Sequence, residues 1–345
     1  MPKATTTAKR GPRIKEPVLP EPDAEQEGDI IVSYSELDTY RQCPLKHLIA
    51  YKNRWTKPPK EDSPLTKGSL WHEVMEIHYN IIKEYQDAND GRSPSTEQEN
   101  RILLALIRVA ISPLLHGDKG EQSENQALIE WMYDGYVERW GTDPQWRILG
   151  VEYKLQRRLM DPDGDPSPFL MKAKLDLIVL DRETMKVWII DHKSGQNLPS
   201  QMELDIDDQF GGYTWLLRNA GLNVIGAIHN AARTTQNAGD KKENQDAEGN
   251  PLKASTKKQT LEQRMSRTRL NRSDAEVANI ALDAWAVAEN AYPDEGFERP
   301  LYSSPDPRQC GWKCDFTEVH LATRAGKPLT KALEEWGFVQ DFTRH

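Results

Sequence analysis

The sequence predicts an α/β protein in which helices flank a mixed central sheet, and three observations predict it. Apolar residues recur at the helical period over residues 68–86, 99–115 and 124–140. Strand-type runs follow at 148–159, 170–180 and 186–191. A helical stretch at 201–219 then leads to a fourth strand at 223–230, so helices and strands share one core.

Taken in order, residues 1–29 hold prolines, a basic cluster and the acidic stretch Glu21 to Glu27 with almost nothing to bury, and are expected to be a disordered tail. The folded unit runs from residue 30 to 345. Ile30-Ile31-Val32 forms a short strand or turn, and Ser33 or Ser35 caps a helix running through Tyr40 toward Tyr51. Leu70, Trp71, Val74, Met75, Ile77, Ile81 and Ile82 give the next helix a broad buried face, and residues 68–140 form a mostly helical portion. The turn-rich Asp161 to Pro166 joins the first two long strands. A four-residue turn, Asp181 to Thr184, joins the second and third into an antiparallel meander. Residues 232–258 read as a mobile polar insertion, and a helix spans 273–292. Residues 300–322 carry two of the cysteines and are expected to return to Cys43.

Composition narrows the function classes. With 37% hydrophobic and 29% charged residues and no apolar run near the roughly 20 residues of a membrane span, the chain is expected to be cytoplasmic, with no membrane partner. Three cysteines argue against a disulfide framework and leave thiols free for metals. A net charge of −9 argues against a passive nucleic-acid coat, though not against an enzyme whose acidic metal ligands sit beside a basic groove.

The chemistry-bearing residues collect on the meander. If Leu180 faces Met185 across the hairpin, Asp176 faces Ile189 and Asp191 lies diagonal to Asp176. Ile189, Asp191 and Lys193 alternate along one strand and share a face, so two carboxylates and an amine converge at a sheet edge. Both carboxylates are then close enough to reach one divalent cation, the equipment phosphodiester hydrolysis needs. Val187-Trp188-Ile189-Ile190 is apolar on both faces, as a central strand is, and carries Asp191 to a place where an unpaired carboxylate is costly. On the first long strand Leu149, Val151, Tyr153 and Leu155 share one face, which leaves Glu152 on the other with Lys154 and Gln156.

These residues sit within a set of ordered motifs. They are Ser35-Glu36-Leu37-Asp38-Thr39-Tyr40 with Arg41-Gln42-Cys43-Pro44, Gly68-Ser69-Leu70-Trp71-His72, Leu175-Asp176-Leu177-Ile178, Asp191-His192-Lys193-Ser194-Gly195, and Gln209 with Tyr213 in the spacing Q-x-x-x-Y. In this order and over about residues 33–320 the chain resembles RecB-like PD-(D/E)XK nucleases, including CRISPR-associated and phage-type exonucleases. The resemblance implies a restriction-endonuclease-like core and a Mg²⁺- or Mn²⁺-dependent deoxyribonuclease, acting as an exonuclease in recombination, repair or replication. It implies that His72, Asp176, Asp191 and the backbone carbonyl of His192 ligate the metal, with Glu152 at an acidic position the family often has. Lys193 would orient or activate water, and Gln209 and Tyr213 would line the site. Ala173 stands where the family usually has glycine.

Cys43, Cys310 and Cys314 occur where the family often closes a 4Fe-4S cluster, but His320 stands at the final position, so an iron-sulfur cluster and a zinc site both remain open. Lys257, Lys258, Arg264, Arg267, Arg269 and Arg272 form the basic stretch expected to grip DNA. Trp55, Trp71 and Trp215 could stack on bases, although tryptophans at helical spacing are more often core. The run His72-Glu73-Val74-Met75-Glu76 lacks the second histidine of a zinc protease. No G-x-x-x-x-G-K-[ST] motif is present, so unwinding of DNA would need a helicase or recombination partner. The alternatives are a catalytically silent DNA-binding or assembly module, and an RNA nuclease or endonuclease on the same fold.

Overall fold

The structure, a computed structural model, describes residues 16–58, 64–116, 122–241, 244–246, 248–250, 252, 257–293 and 303–342. Residues 1–15 of the expected tail, parts of the expected insertion and residues 300–302 of the cysteine-bearing segment lie outside the described residues.

Six strands form one mixed sheet: β1 (Ile30–Ser33), β3 (Trp146–Met160), β4 (Pro166–Asp181), β5 (Lys186–Gly195), β6 (Val224–Arg233) and β7 (Met265–Asn271). The meander β3–β4–β5 is antiparallel, as its turns predict, while β1 runs parallel to β4 and β5 parallel to β6. β4 carries β3 along one edge. Its other edge is shared, with β1 on residues 169–172 and β5 on residues 177–181. Between those two partners β4 meets no strand on that edge among the described residues, and Asp176 lies in this gap.

Helices cover both faces. α3 (Pro64–Ala88), α4 (Glu97–Leu115) and α5 (Glu124–Trp140) bury Trp71, Tyr79, Ile107 and Tyr136 against Leu177, Val179, Trp188 and Ile190. On the opposite face, α1 (Tyr34–Gln42), α7 (Asp208–Asn219) and α9 (Asp274–Ala291) close over Leu155, Met171, Ile178, Ile189 and Ala227. Thr96 and Ser123 start α4 and α5 with reciprocal capping boxes, which fix those helix starts within the polar loops before them. Trp71 and Trp215 are buried in these cores, so neither is free to stack on a base.

Four expectations change. Residues 16–29 are not a loose tail but an extended segment along β3: the Asp23 amide donates to the Gln156 carbonyl, Tyr153 to the Pro20 carbonyl, and Arg158 pairs with Asp29. Backbone and charged partners on β3 hold this segment although it has little apolar surface. The hairpin register is displaced by two, with Leu180 facing Val187 and Ile178 facing Ile189. The cause is the turn: Asp181 accepts from the Glu183 and Thr184 amides and Met185 takes φ 57°, so the loop is residues 182–185. An even displacement preserves which residues share a face.

The faces of β3 themselves switch at Glu152. Val151 packs into the α3–α5 core whereas Tyr153 and Leu155 pack on the other side, where Leu149 is already set by a register shift between Ile148 and Gly150. Glu152 has φ 49°, and this left-handed residue breaks the alternation that the sequence suggests. Finally, part of the expected basic loop is a strand, β7, paired antiparallel to β6. Its Ser-Arg-Thr-Arg run reads as solvated, but pairing with a central strand makes it sheet.

At the chain ends, β2 (Trp55–Thr56) pairs with β8 (Val339–Gln340). α11 (Thr317–Arg324) and α12 (Leu329–Glu335) pack Val319, Ala332 and Leu333 against Ile49, with Leu45 and Cys314 at the margin. The C-terminal segment thus returns to the region of Cys43.

Candidate active site

The gap in the β4 edge determines what Asp176 can meet. Continuing the β4–β5 register by one step places Asp176 opposite Asp191, just past the last paired residues, Leu177 and Ile190. Here the backbone amide of His192 donates to Asp176 Oδ2 at 2.7 Å instead of joining the ladder. His72, in the third turn of α3, reaches the same oxygen with Nδ1 at 3.3 Å. Glu152 completes the cluster from β3: ligand atoms of His72, Glu152 and Asp176 all lie within 4.8 Å of one another. Its left-handed backbone sits between Val151 and Tyr153, which oppose Leu177 and Leu175, so Glu152 stands across from Asp176. A strained non-glycine residue is held here by its neighbours, and its carboxylate also pairs with Lys174.

Asp191 lies outside that trio of ligand atoms and faces Lys193. The ammonium is 3.0 Å from both carboxylate oxygens, in hydrogen-bonding geometry with Oδ1 only. Oδ2 is buried with no hydrogen-bond partner. Burial pushes the Asp191 carboxyl above its usual range despite the neighbouring ammonium. Asp176 is driven the other way, because the hydrogen bond from His72 and the charge around it outweigh burial. His72 is correspondingly raised, its bond to Asp176 overcoming burial. Burial alone would lower Lys193, but Asp191 holds it above the ordinary ammonium range, so it stays charged.

Gln209 and Tyr213, one turn apart on α7, bond to each other at 2.6 Å. Burial and the nearby Asp191 charge keep the Tyr213 hydroxyl protonated, and Gln209 donates to it.

Behind the strand lies a buried polar frame that the sequence does not announce. His192 stacks on Tyr79 at 5.5 Å and bonds through Nδ1 to Asn230 at 2.7 Å. Asn230 accepts from Arg267 at 3.1 Å; Arg267 in turn grips Asp143 at 2.5 and 2.7 Å and donates to Tyr136 at 2.6 Å. Tyr79 donates to Asp143 at 2.6 Å and closes the frame. Burial lowers His192 to about 3, so its ring is neutral and its orientation is set by Asn230.

Arg267 is therefore an interior ion-pair residue and not a surface cation. Arg264 is also buried, stacked over Trp131 at 3.9 Å, and Arg272 spends its guanidinium on the carbonyls of Leu204, Asp205 and Asp207. Each side chain has exchanged water for fixed acceptors within the fold, which removes it from the expected DNA grip. Lys257, Lys258 and Arg269 are the exposed members of that set.

The sulfur-bearing residues come together differently. Cys43 lies between α1 and α2 (Pro44–His47), Cys310 is on α10 (Pro307–Lys313), Cys314 caps it and His320 is on α11. All four line one cavity of about 560 Å³. Among the described residues their ligand atoms do not converge as those of the acid cluster do.

No helix of the described residues is long and apolar enough to cross a membrane. Comparison with curated proteins finds no match. The family model described as the PD-(D/E)XK nuclease superfamily matches residues 31–319, a stretch that spans every element of the acid cluster and its frame. The chain belongs to the PD-(D/E)XK nuclease superfamily.

Proposed function

We propose that the protein is a divalent-metal-dependent deoxyribonuclease that hydrolyses phosphodiester bonds from DNA ends, as an exonuclease of recombination, repair or replication. The observation that carries this reading is the convergence of His72, Glu152 and Asp176 within 4.8 Å, beside a buried Asp191 oxygen that has no hydrogen-bond donor. Lys193 offsets the charge of Asp191, but no donor is aimed at Oδ2, so the lone pairs of that buried oxygen are left for a cation. His72, Glu152, Asp176, Asp191 and the His192 carbonyl would hold Mg²⁺ or Mn²⁺. A bound divalent ion supplies offsetting charge for the phosphate and a more acidic water.

The chain's own groups have distinct tasks. Lys193 keeps its proton and places a positive charge where water attacks and oxyanion charge develops. Gln209 and Tyr213 offer donors to the substrate phosphate from the α7 side. The His192 amide fixes the ionised Asp176, and the Arg267–Asn230–His192 chain holds the backbone at that position. Lys257, Lys258 and Arg269 provide exposed positive charge for DNA, and duplex unwinding would be left to a partner. The thiols and imidazole around the 560 Å³ cavity form a donor set suited to a 4Fe-4S cluster or to zinc.

The test is digestion of end-labelled linear DNA, closed circular DNA and RNA with Mg²⁺, Mn²⁺ or EDTA. The expected result is metal-dependent loss of linear DNA from its ends with circular DNA intact. Cleavage of circles would make it an endonuclease, preference for RNA would change the substrate, and inertness toward all three would leave a silent binding module.

A further inference from the structure

Along β3 and β4, leading away from the acid cluster, lies a cleft of about 620 Å³ whose wall includes Lys154, Lys172 and Lys174 together with Ser33, Pro22 and Glu25. The strand register sets Lys154 directly opposite Lys174 and places Lys172 two residues further along. Like charges directly opposite one another destabilise a strand pair, so folding alone gives no reason for this arrangement. Lys174 is joined to Glu152, but among the described residues Lys154 and Lys172 form no salt bridge. Glu25, which is exposed, is the one carboxylate among the residues lining the cleft.

Position gives the lysines a direction. Phe169, Met171, Ala173 and Leu175 pack into the α1–α7–α9 core, so Lys172 and Lys174 fall on the opposite, open side of β4. Asp176 is the next residue in that alternation. At about 3.3 Å per residue Lys174 stands roughly 7 Å and Lys172 roughly 13 Å from Asp176 along the strand. This is within about four nucleotides of a bond held at Asp176, taking about 3.4 Å of rise per nucleotide.

We infer that this cleft binds the phosphodiester backbone of the substrate strand on one side of the bond to be cleaved, through Lys154 and Lys172, with Lys174 linking the track to Glu152. The inference rests on the nuclease reading above and names a different set of phosphate contacts from the Lys257–Arg272 stretch. Its recognition chemistry is that of any polynucleotide backbone.

The test is fluorescence anisotropy of labelled single-stranded DNA and RNA of equal length, in EDTA, over a series of KCl concentrations. The proteins are the full chain, its Lys154→Gln/Lys172→Gln variant, and Lys186→Gln at the far end of β5 as reference, with folding checked by circular dichroism. Each lost phosphate contact flattens the single-strand salt dependence by about 0.7, so the double variant is expected to be shallower by about 1.4 and to bind at least tenfold more weakly at low salt. An equal loss on DNA and RNA supports backbone recognition. An unchanged slope in the folded variant, or a loss confined to one polymer, overturns it. Because binding is read without cleavage, an inert enzyme with a flattened slope removes the nuclease reading and keeps the track. Normal cleavage with an unchanged slope does the reverse.

Discussion

At the acid cluster, ligand-type side chains hang from adjoining strands and the long helix α3 and are backed by directional hydrogen bonds, whereas the cysteines line a cavity between short helices that rest on apolar packing. The first arrangement fixes orientation, since His192, Asn230, Arg267 and Asp143 each limit the next. The second fixes only proximity: Ile49, Phe316, Val319, Ala332 and Leu333 hold the segments together without aiming a sulfur. Folding alone therefore brings His72, Glu152 and Asp176 within 4.8 Å, while the cysteines and His320 share a wall without converging. Substitutions should separate the two foundations.

The largest effects belong to the acid cluster. Asp191→Asn and Lys193→Ala should each lower cleavage on the order of 10³-fold. Asp191→Asn should melt within a few degrees of the parent, because it removes a carboxylate that burial disfavours but also the charge that offsets Lys193. Turnover and thermal melting on the same preparations check both. Parent-like cleavage by Asp191→Asn would remove the site from the mechanism.

Next comes the frame. Arg267→Met should destabilise the fold by about 3–5 kcal/mol, because Asp143 is left buried without its ion partner. Adding Asp143→Leu should recover part of the loss. If Arg267→Met melts like the parent and only weakens DNA binding, Arg267 faces the substrate after all and the contrast between frame and surface collapses.

A smaller and pH-dependent effect is expected near Cys43. Burial raises the Glu36 carboxyl, but hydrogen bonds from His47 and Tyr292 overcome it and hold the group below its ordinary 4.5. A depressed carboxylate contributes stability that is present above the unfolded value and lost as pH falls through the folded one. Glu36→Gln should cost about 1.5–3 kcal/mol at pH 7, and the gap from the parent should close in acid below the folded value. A gap that stays constant into acid would show that shape, not charge, holds α1 to α9.

How far such contrasts can be read from sequence depends on the range of the interaction. Asp191 and Lys193 are legible because strand alternation is local, and a register error of two leaves the face they share with Ile189 intact. The left-handed residue at Glu152 is not legible, since nothing in Val151-Glu152-Tyr153 asks for it; it follows from what surrounds the strand. Nor is the frame, whose members Tyr79, Asp143, Asn230 and Arg267 are scattered along the chain and look like ordinary polar residues until the sheet stacks them. Arg267 reads from sequence as part of a DNA-gripping surface because charge usually means exposure, and its buried partner Asp143 reverses that rule. Lys172-Ala173-Lys174-Leu175-Asp176 did carry a signal, an alternation of charge and apolar residues running into the site.

The smallest stability effect is expected at the cysteine cavity. If Cys43, Cys310, Cys314 and His320 bind a metal, it must draw ligands from several short elements to about 2.3 Å from zinc, or to the irons of a cluster. The apolar cluster and the β2–β8 pair already join the chain ends, so most of the loop-closure entropy is met before any metal arrives. Cys310→Ser should therefore lower stability by only about 1 kcal/mol, roughly one to two degrees of melting temperature, and leave the Asp176 site able to cleave. Anaerobic purification with iron, sulfide and zinc analysis identifies the occupant: about four irons with sulfide for a cluster, about one zinc without sulfide for a structural zinc. Neither metal, with Cys310→Ser melting like the parent, would reduce the cysteines to thiols. A loss beyond about 4 kcal/mol would reverse the comparison instead, since metal binding energy would then be folding energy and the apolar cluster a consequence of the centre.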